Sequence, residues 1–317
     1  MSATPNGSAS HPRLEQLVAR AIARAGSAPS ALALVYPCDA LAMDAAGRIL
    51  DSGMARPVLI GPAGLIAQAA AQAGVTLDRF EVVDTGVHAP DAALRATTLA
   101  RSGTVSALMK GSLHTDELMS AVVNKATGLR DNTRISHAFV FDLPRYPKLL
   151  ALADCVVNIA PDLKTKKDIL GNAVALLQTL GIARPKVGIV AAVETVNPAI
   201  PATTDARDLV DMAKAGAWPD AIVEGPLGFD NAISAEAARI KKIQSQVAGA
   251  ADLLVMPDLN AGNMLYKSFN YIGGGDCAGL VLGASVPIVL TSRADSLQSR
   301  LASVALAVLS ASPTGRA

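Results

Sequence analysis

The chain has 317 residues and a formal net charge of +1, so two domains are expected and a nucleic-acid partner is not, because no basic, aromatic-studded run tracks a phosphate backbone. Apolar residues make up 51% and aromatics only 3%. That balance predicts an interior of Ala, Val, Leu and Ile, as in buried parallel strands covered by helices.

Residues 1–12 are small and polar and read as a frayed tail without the order of a signal peptide. Helical stretches are then expected at 13–25, 40–53, 63–74, 90–102 and 115–124, alternating with strands at 31–36, 57–60, 80–83, 105–109 and 137–142. This order predicts right-handed parallel crossovers and a doubly wound first half. The cluster Pro144-Arg145-Tyr146-Pro147-Lys148 marks a surface turn. Further strands are expected at 155–159, 186–191, 221–223, 252–256, 279–282 and 287–290, and a last helix at 295–312. Apolar runs break before the roughly eighteen residues of a membrane span, and Cys38, Cys155 and Cys277 lack the spacing of a disulfide framework or zinc site. A cytoplasmic protein is expected.

Two segments carry the chemistry. Met256-Pro257-Asp258-Leu259-Asn260-Ala261-Gly262-Asn263-Met264-Leu265-Tyr266-Lys267 and Val289-Leu290-Thr291-Ser292-Arg293-Ala294-Asp295 each follow an apolar run with amide, hydroxyl and charged groups. Strand ends of α/β proteins are where such groups meet ligands. Backbone N–H groups and amides around Asn260, Gly262, Asn263 and Lys267 can receive an anion or an amide; the alternative is a glycine-permitted turn with Lys267 solvated and Tyr266 packed. Lys110-Gly111-Ser112 follows a strand and Thr115 opens a helix, which suits either an anion or an ordinary helix cap. Arg134 stands before a strand as a site or surface residue, and Asn158 closes the expected strand 155–159. His114 and His137 lack metal-pair spacing, and Gly273-Gly274-Gly275 lacks a nucleotide-loop context, so no metal site is expected.

These segments, with Leu108-Met109-Lys110-Gly111, Val156-Val157-Asn158-Ile159-Ala160-Pro161-Asp162 and Val193-Glu194-Thr195-Val196-Asn197-Pro198, resemble the phosphate acetyltransferase and phosphate butyryltransferase family, most of all its butyryltransferase branch. The resemblance implies two doubly wound α/β domains with a cleft between them, similar to the isocitrate/isopropylmalate dehydrogenase-like fold. The first domain would be 13–154 plus 291–317 and the second 155–290. It implies transfer of a short acyl group between coenzyme A and phosphate by direct attack, with coenzyme A as substrate, no tightly bound cofactor, and a homodimer or larger homo-oligomer.

In this resemblance Ser292 orients the reacting group and Arg293 clamps phosphate, a task suited to a guanidinium fork. Thr291, Lys110, Thr115, Arg134, Asn158, Asn260, Gly262, Asn263 and Lys267 are substrate-binding candidates. The acetyltransferase branch carries an aspartate seven residues beyond the serine, where this chain has Ser299, and an arginine near the position of Met119. Asp295 is therefore the substitute base, or else part of a cap at the start of the last helix. Two rivals stand beside this reading: a non-catalytic acyl-coenzyme A sensing module, and a metal- and nicotinamide-dependent dehydrogenase, for which no cluster of metal-binding aspartates is found.

Overall fold

A computed structural model describes residues 10–290 and 295–311. In chain order the elements are α1 (Pro12–Ala25), β1 (Ala31–Val35), α2 (Ala40–Ser52), β2 (Arg56–Gly61), α3 (Ala63–Ala73), β3 (Glu81–Asp84), α4 (Ala89–Arg101), β4 (Ala107–Lys110), α5 (Thr115–Val122), β5 (Ser136–Asp142) and β6 (Leu150–Ala153). They continue with α6 (Leu163–Thr179), β7 (Lys186–Val190), α7 (Pro201–Lys214), β8 (Ile222–Leu227), α8 (Phe229–Ile233), α9 (Ala235–Ile240), β9 (Leu253–Val255), α10 (Leu259–Tyr271), β10 (Asp276–Leu282), β11 (Ile288–Val289) and α11 (Leu297–Ser310). The mixed α/β class expected from the alternating runs is what forms.

The chain divides into two compact units, Leu17–His137 with Ala278–Ala317 and Met1–Gln16 with Ala138–Cys277. These divisions fall before the boundaries expected after 154 and 290. The reason is a hairpin: β5 and β6 pair antiparallel, Ala138 against Ala153, so the 138–154 segment folds with the strands that follow it.

In the first unit the strand order is β3-β2-β1-β4-β11-β10. β1 pairs parallel with β2 and β4, and β4 with β11, so β1, β4 and β11 all end on one edge. Every residue of β1 is buried. Alanines line the sheet-facing sides of α2 and α4, including Ala42, Ala45, Ala46, Ala92, Ala93 and Ala96, and such small side chains let helices approach the sheet. Arg24 donates to the carbonyls of Leu309 and Ala311 at 2.8 and 2.9 Å, satisfying groups that the end of α11 leaves over.

The second unit orders its strands β5-β6-β9-β7-β8, with β6, β9, β7 and β8 parallel. Its core gathers Phe141, Leu152, Leu254 and Met256, with Phe139, Tyr266 and Phe269 packed against it. Phe139 and Tyr266 stack at 4.3 Å between ring centroids. The few aromatic residues are thus concentrated here, and Tyr266 is packed as the turn reading of its segment supposed. At the Pro144–Lys148 turn Tyr146 donates to the Ala251 carbonyl at 2.7 Å, and Lys148 to that of Ala250.

Several expected elements moved, among them β4, β8 and β10, each with an end two or more residues away from 105–109, 221–223 and 279–282. The strand anticipated at 155–159 lies instead at Leu150–Ala153, and the following residues turn. The last helix begins at Leu297 rather than 295. Among the described residues no helix is long and apolar enough to cross a membrane.

Candidate active site

At the first unit's strand-end edge, β1 runs into Tyr36, whose φ of 56° is the left-handed conformation that non-glycine residues rarely adopt. The turn brings β1 against the end of β4. Gly111 N–H donates to the Val35 carbonyl at 2.8 Å and Ser112 N–H to that of Tyr36 at 2.9 Å. The Ser112 hydroxyl donates to the Tyr36 carbonyl at 2.7 Å and accepts from Cys38 N–H at 3.0 Å. A β-carbon on Gly111 would lie 2.5 Å from the Val35 carbonyl oxygen, so only glycine fits.

Ser112 therefore joins strand ends and does not cap a helix. The cap of α5 is a reciprocal pair instead: the His114 side chain meets the backbone at Glu117, and His114 N–H donates to the Glu117 carboxylate at 2.7 Å. Thr115 is exposed at the first position of α5. Lys110 closes β4, its ammonium donating to the carbonyls of Gly111 and Leu113, each at 3.2 Å. Arg134 is exposed just before β5.

Thr291, Ser292 and Arg293, expected at the site, lie outside the described residues; the sequence carries them past Val289, the last residue of β11. Beyond them, Ser296 is the N-cap of α11, its hydroxyl accepting from Ser299 N–H at 2.9 Å. Asp295 thus stands ahead of the cap and is not the capping residue. Arg300 on α11 is only 4% exposed. Burial draws its guanidinium below its ordinary range, opposed by the charges of Asp295 and Asp39, so both carboxylates lie within electrostatic reach. Asp39 also caps α2, accepting from Ala42 N–H at 2.7 Å.

A second polar edge forms in the other unit, where the parallel neighbours β6 and β9 end together at Ala153 and Val255. Asp154, 3% exposed, accepts from the N–H groups of Val156 and Val157 at 2.8 and 3.0 Å through one oxygen. Its other oxygen accepts from the Asn158 side chain at 2.7 Å and backbone at 3.3 Å. Asp258 caps α10, accepting from Ala261 N–H at 3.0 Å. Gly262 lies buried against the Asp154–Cys155 backbone, and the Asn263 side chain donates to the Cys155 carbonyl at 3.2 Å. Asn260 and Lys267 are exposed. Seven residues apart on a helix, they share one face with Asn263 between them.

This edge brings Asn158, Gly262 and Asn263 into one assembly, and Asp154, which organises it, was not singled out from the sequence. A carboxylate directly after a buried strand and four residues before Asn158 was the available signal. Lys241 anchors a separate ion-pair cluster. It bridges Glu194 and Asp230, at 2.9 Å from the latter, while Asn231 donates to Glu194 at 2.5 Å. The lysine hydrogen bonds hold both carboxyls below their usual range.

The thiols of Cys38 and Cys155 are not primed for attack. Burial pushes Cys38 up to about 11, with Asp39 adding to the shift. Cys155 is raised well above its ordinary value by burial, then by Asp154 and Cys277. Both are neutral thiols near pH 7. Among the described residues no three His, Cys, Asp or Glu side chains come together as a metal site.

Residues 86–308 match the family described as Phosphate acetyl/butaryl transferase. The chain is 48% identical to a phosphate acetyltransferase of Rhizobium meliloti over 297 residues, covering 94% of this chain and 93% of that protein. It is 39% identical to a phosphate butyryltransferase of Clostridium acetobutylicum over 258 residues, 81% of this chain and 85% of that one. Relatives of both names are therefore matched, with the higher of these two identities on the acetyltransferase side. Among solved structures, a branched-chain phosphotransacylase from Enterococcus faecalis V583 superposes with a TM-score of 0.78 at 28% identity, covering 89% of this chain and 98% of that one. A 4-hydroxythreonine-4-phosphate dehydrogenase structure from Salmonella typhimurium, described there as putative, shares the fold at a TM-score of 0.57 and 17% identity, over 89% of this chain and 99% of its own.

Proposed function

Because the chain belongs to the phosphate acetyl/butyryl transferase family, we propose that it interconverts a short-chain acyl-coenzyme A and phosphate with the acyl phosphate and free coenzyme A. A phosphate oxygen attacks the thioester carbonyl carbon, the new C–O bond forms, and the C–S bond breaks to release the coenzyme A thiolate. In reverse, the thiolate attacks the acyl phosphate and phosphate leaves. Coenzyme A is a substrate, and the exchange moves no net electrons, so it calls for no redox carrier.

Arg293 holds the phosphate through its guanidinium fork and Ser292 orients the reacting group by hydrogen bonding. Asp295 takes the thiol proton, raising the thiolate fraction of a group whose ordinary pKa is about 8.5. Lys110, Thr115 and Arg134 contribute on the phosphate side with Thr291. Asn158, Asn260, Gly262, Asn263 and Lys267 receive the coenzyme A arm. Protonated Cys38 and Cys155 thiols favour direct transfer between the substrates over an acyl-enzyme on either residue.

One observation carries this reading: the family match over 86–308 contains the polar strand ends at Lys110–Ser112 and Asp154–Asn158 and the start of α10. The test is phosphate-dependent release of free thiol from acetyl-, propionyl- and butyryl-coenzyme A by the purified protein. Release from at least one ester is expected, and no release from any of the three with phosphate present would overturn the proposal. The same assay ranks the acyl groups, since one methylene is worth only about 1 to 3 kcal/mol in an apolar pocket.

A further inference from the structure

Where α9 ends, the second unit turns its chain back and leaves a cavity of about 370 Å³ between the helix and the returning segment. The turn is a Schellman motif: Lys242 N–H donates to the Arg239 carbonyl at 3.1 Å and Ile243 N–H to that of Ala238 at 3.0 Å. Such a motif favours glycine at the position of Lys242, whose φ of 55° is left-handed. The returning segment is fixed twice. Ser245 donates to the Glu224 carboxylate and accepts from the N–H groups of Val247 and Ala248 at 3.0 and 2.8 Å. Gly249 lies so close to Ala235 that a β-carbon on it would meet the Ala235 backbone at 2.5 Å. Ala235, Ala238, Ile243 and Ala248 give the cavity an apolar lining, and Arg239, Lys242 and Gln244 add two cations and an amide. Arg239 pairs with Glu236 through Nε and Nη2, which leaves Nη1 outside that pair. Lys241 is engaged with Glu194 and Asp230, whereas no ion pair among the described residues includes Lys242.

The geometry points to a second ligand site at this cavity, apart from the residues of acyl transfer, that takes a nucleoside monophosphate. Lys242 and Nη1 of Arg239 hold the phosphate, the alanine and isoleucine lining receives the base, and Gln244, whose amide both donates and accepts, meets the base edge. Size and composition decide the class. An inorganic anion would leave the apolar lining wet, and a neutral apolar molecule would leave both cations unused. A lysine held in left-handed geometry where glycine is easier is strain of the sort that functional groups retain.

The test is calorimetric titration of the purified protein with AMP, ribose 5-phosphate and inorganic phosphate, with the AMP titration repeated in saturating coenzyme A. AMP is expected to bind most tightly, to keep its affinity when coenzyme A is present, and to bind more weakly as salt rises. Lys242→Gly is the informative variant, because glycine suits the turn and the protein should unfold at the same temperature or higher. It should lose roughly tenfold in AMP affinity, the low end for a hydrogen bond to a charged group, and keep wild-type KM values for acyl-coenzyme A and phosphate. Arg239→Gln should weaken AMP binding to a similar degree, and Gln244→Ala should weaken AMP but not ribose 5-phosphate. No binding of AMP, equal affinity for AMP and inorganic phosphate, displacement of AMP by coenzyme A, or unchanged AMP affinity in Lys242→Gly would overturn the site while acyl transfer stands. Because binding is read without turnover, a failure of acyl transfer leaves the site to be decided by the same titrations.

Discussion

Gly262 of α10 packs so closely on Asp154 that a β-carbon there would lie 2.6 Å from the Asp154 carbonyl oxygen. Two opposed effects meet at this position. Alanine in place of a helical glycine gains about 0.8 to 1.0 kcal/mol in intrinsic propensity, whereas overpacking against backbone costs about 1 to 3 kcal/mol. The neighbour here is backbone, which cannot rotate away, so the packing cost wins. Gly262→Ala should be destabilised by up to about 2 kcal/mol, read from urea unfolding, and should bind coenzyme A more weakly. A variant as stable as wild type with intact turnover would mean that the Asp154–Asn158 segment yields freely.

Lys241 links Glu194 and Asp230, and its hydrogen bonds are the largest cause of the lowered pKa of each carboxyl. A carboxylate with a depressed native pKa adds stability above its unfolded value, about 4.3 for Glu and 3.9 for Asp. That contribution is lost as pH falls through the lower native value. All three side chains are substantially exposed, so solvent screening keeps the effect small. Denaturation midpoints of wild type and Lys241→Met, followed from pH 8 to pH 2.5, should differ slightly at neutral pH and converge at the acid end. A gap that widens on acidification would contradict the assignment.

The alternation of apolar runs made most of the fold legible, because periodicity and turn residues act locally. β1 and α2 lie within one residue of their expected limits at every end. The run Cys155–Ile159 misled for a physical reason. Its apolar and β-branched residues have strand character, but the Asp154 carboxylate captures the N–H groups of Val156 and Val157, which a strand would spend on its ladder. The hairpin of β5 and β6 was hidden in the same way, since a Pro-bounded turn shows that the chain bends and not which strands it pairs. At the start of the last helix, Ser292, Asp295 and Ser296 all have capping chemistry, and only the hydrogen bond from Ser299 N–H selects Ser296. The motif at 256–267 was readable as a ligand-facing strand end, but its partner Asp154 is brought to it by the β6–β9 pairing across about a hundred residues of chain.

Arg293, assigned to the phosphate clamp by family resemblance, offers a direct test of that role. Losing a hydrogen bond to a charged group costs about 1.5 to 3 kcal/mol, or about ten- to over a hundredfold in rate. Arg293→Ala should lose that much in kcat/KM for phosphate, with unfolding by urea little changed. Near-wild-type kinetics in a folded variant would take Arg293 out of the site.

Asp295 and Ser296 are adjacent in the chain, and their substitution should separate chemistry from stability. Ser296 supplies the N-cap of α11, so Ser296→Ala should lower stability by about 0.5 to 2 kcal/mol and leave the chemical step largely intact. Asp295 lies one residue ahead of that N-cap. Asp295→Asn preserves its shape but cannot accept the thiol proton, so the rate of thiol attack on acyl phosphate should fall while the melting temperature holds. Ser299, at the position of the acetyltransferase aspartate, is buried in the first turn of α11, and a hydroxyl there has no basicity to offer at neutral pH. Ser299→Ala should therefore alter stability more than rate. The comparison is decided by single-turnover measurement of thiol attack in the three variants: unchanged chemistry in Asp295→Asn would exclude Asp295 as the base, and a rate loss confined to that variant would separate its role from the cap beside it.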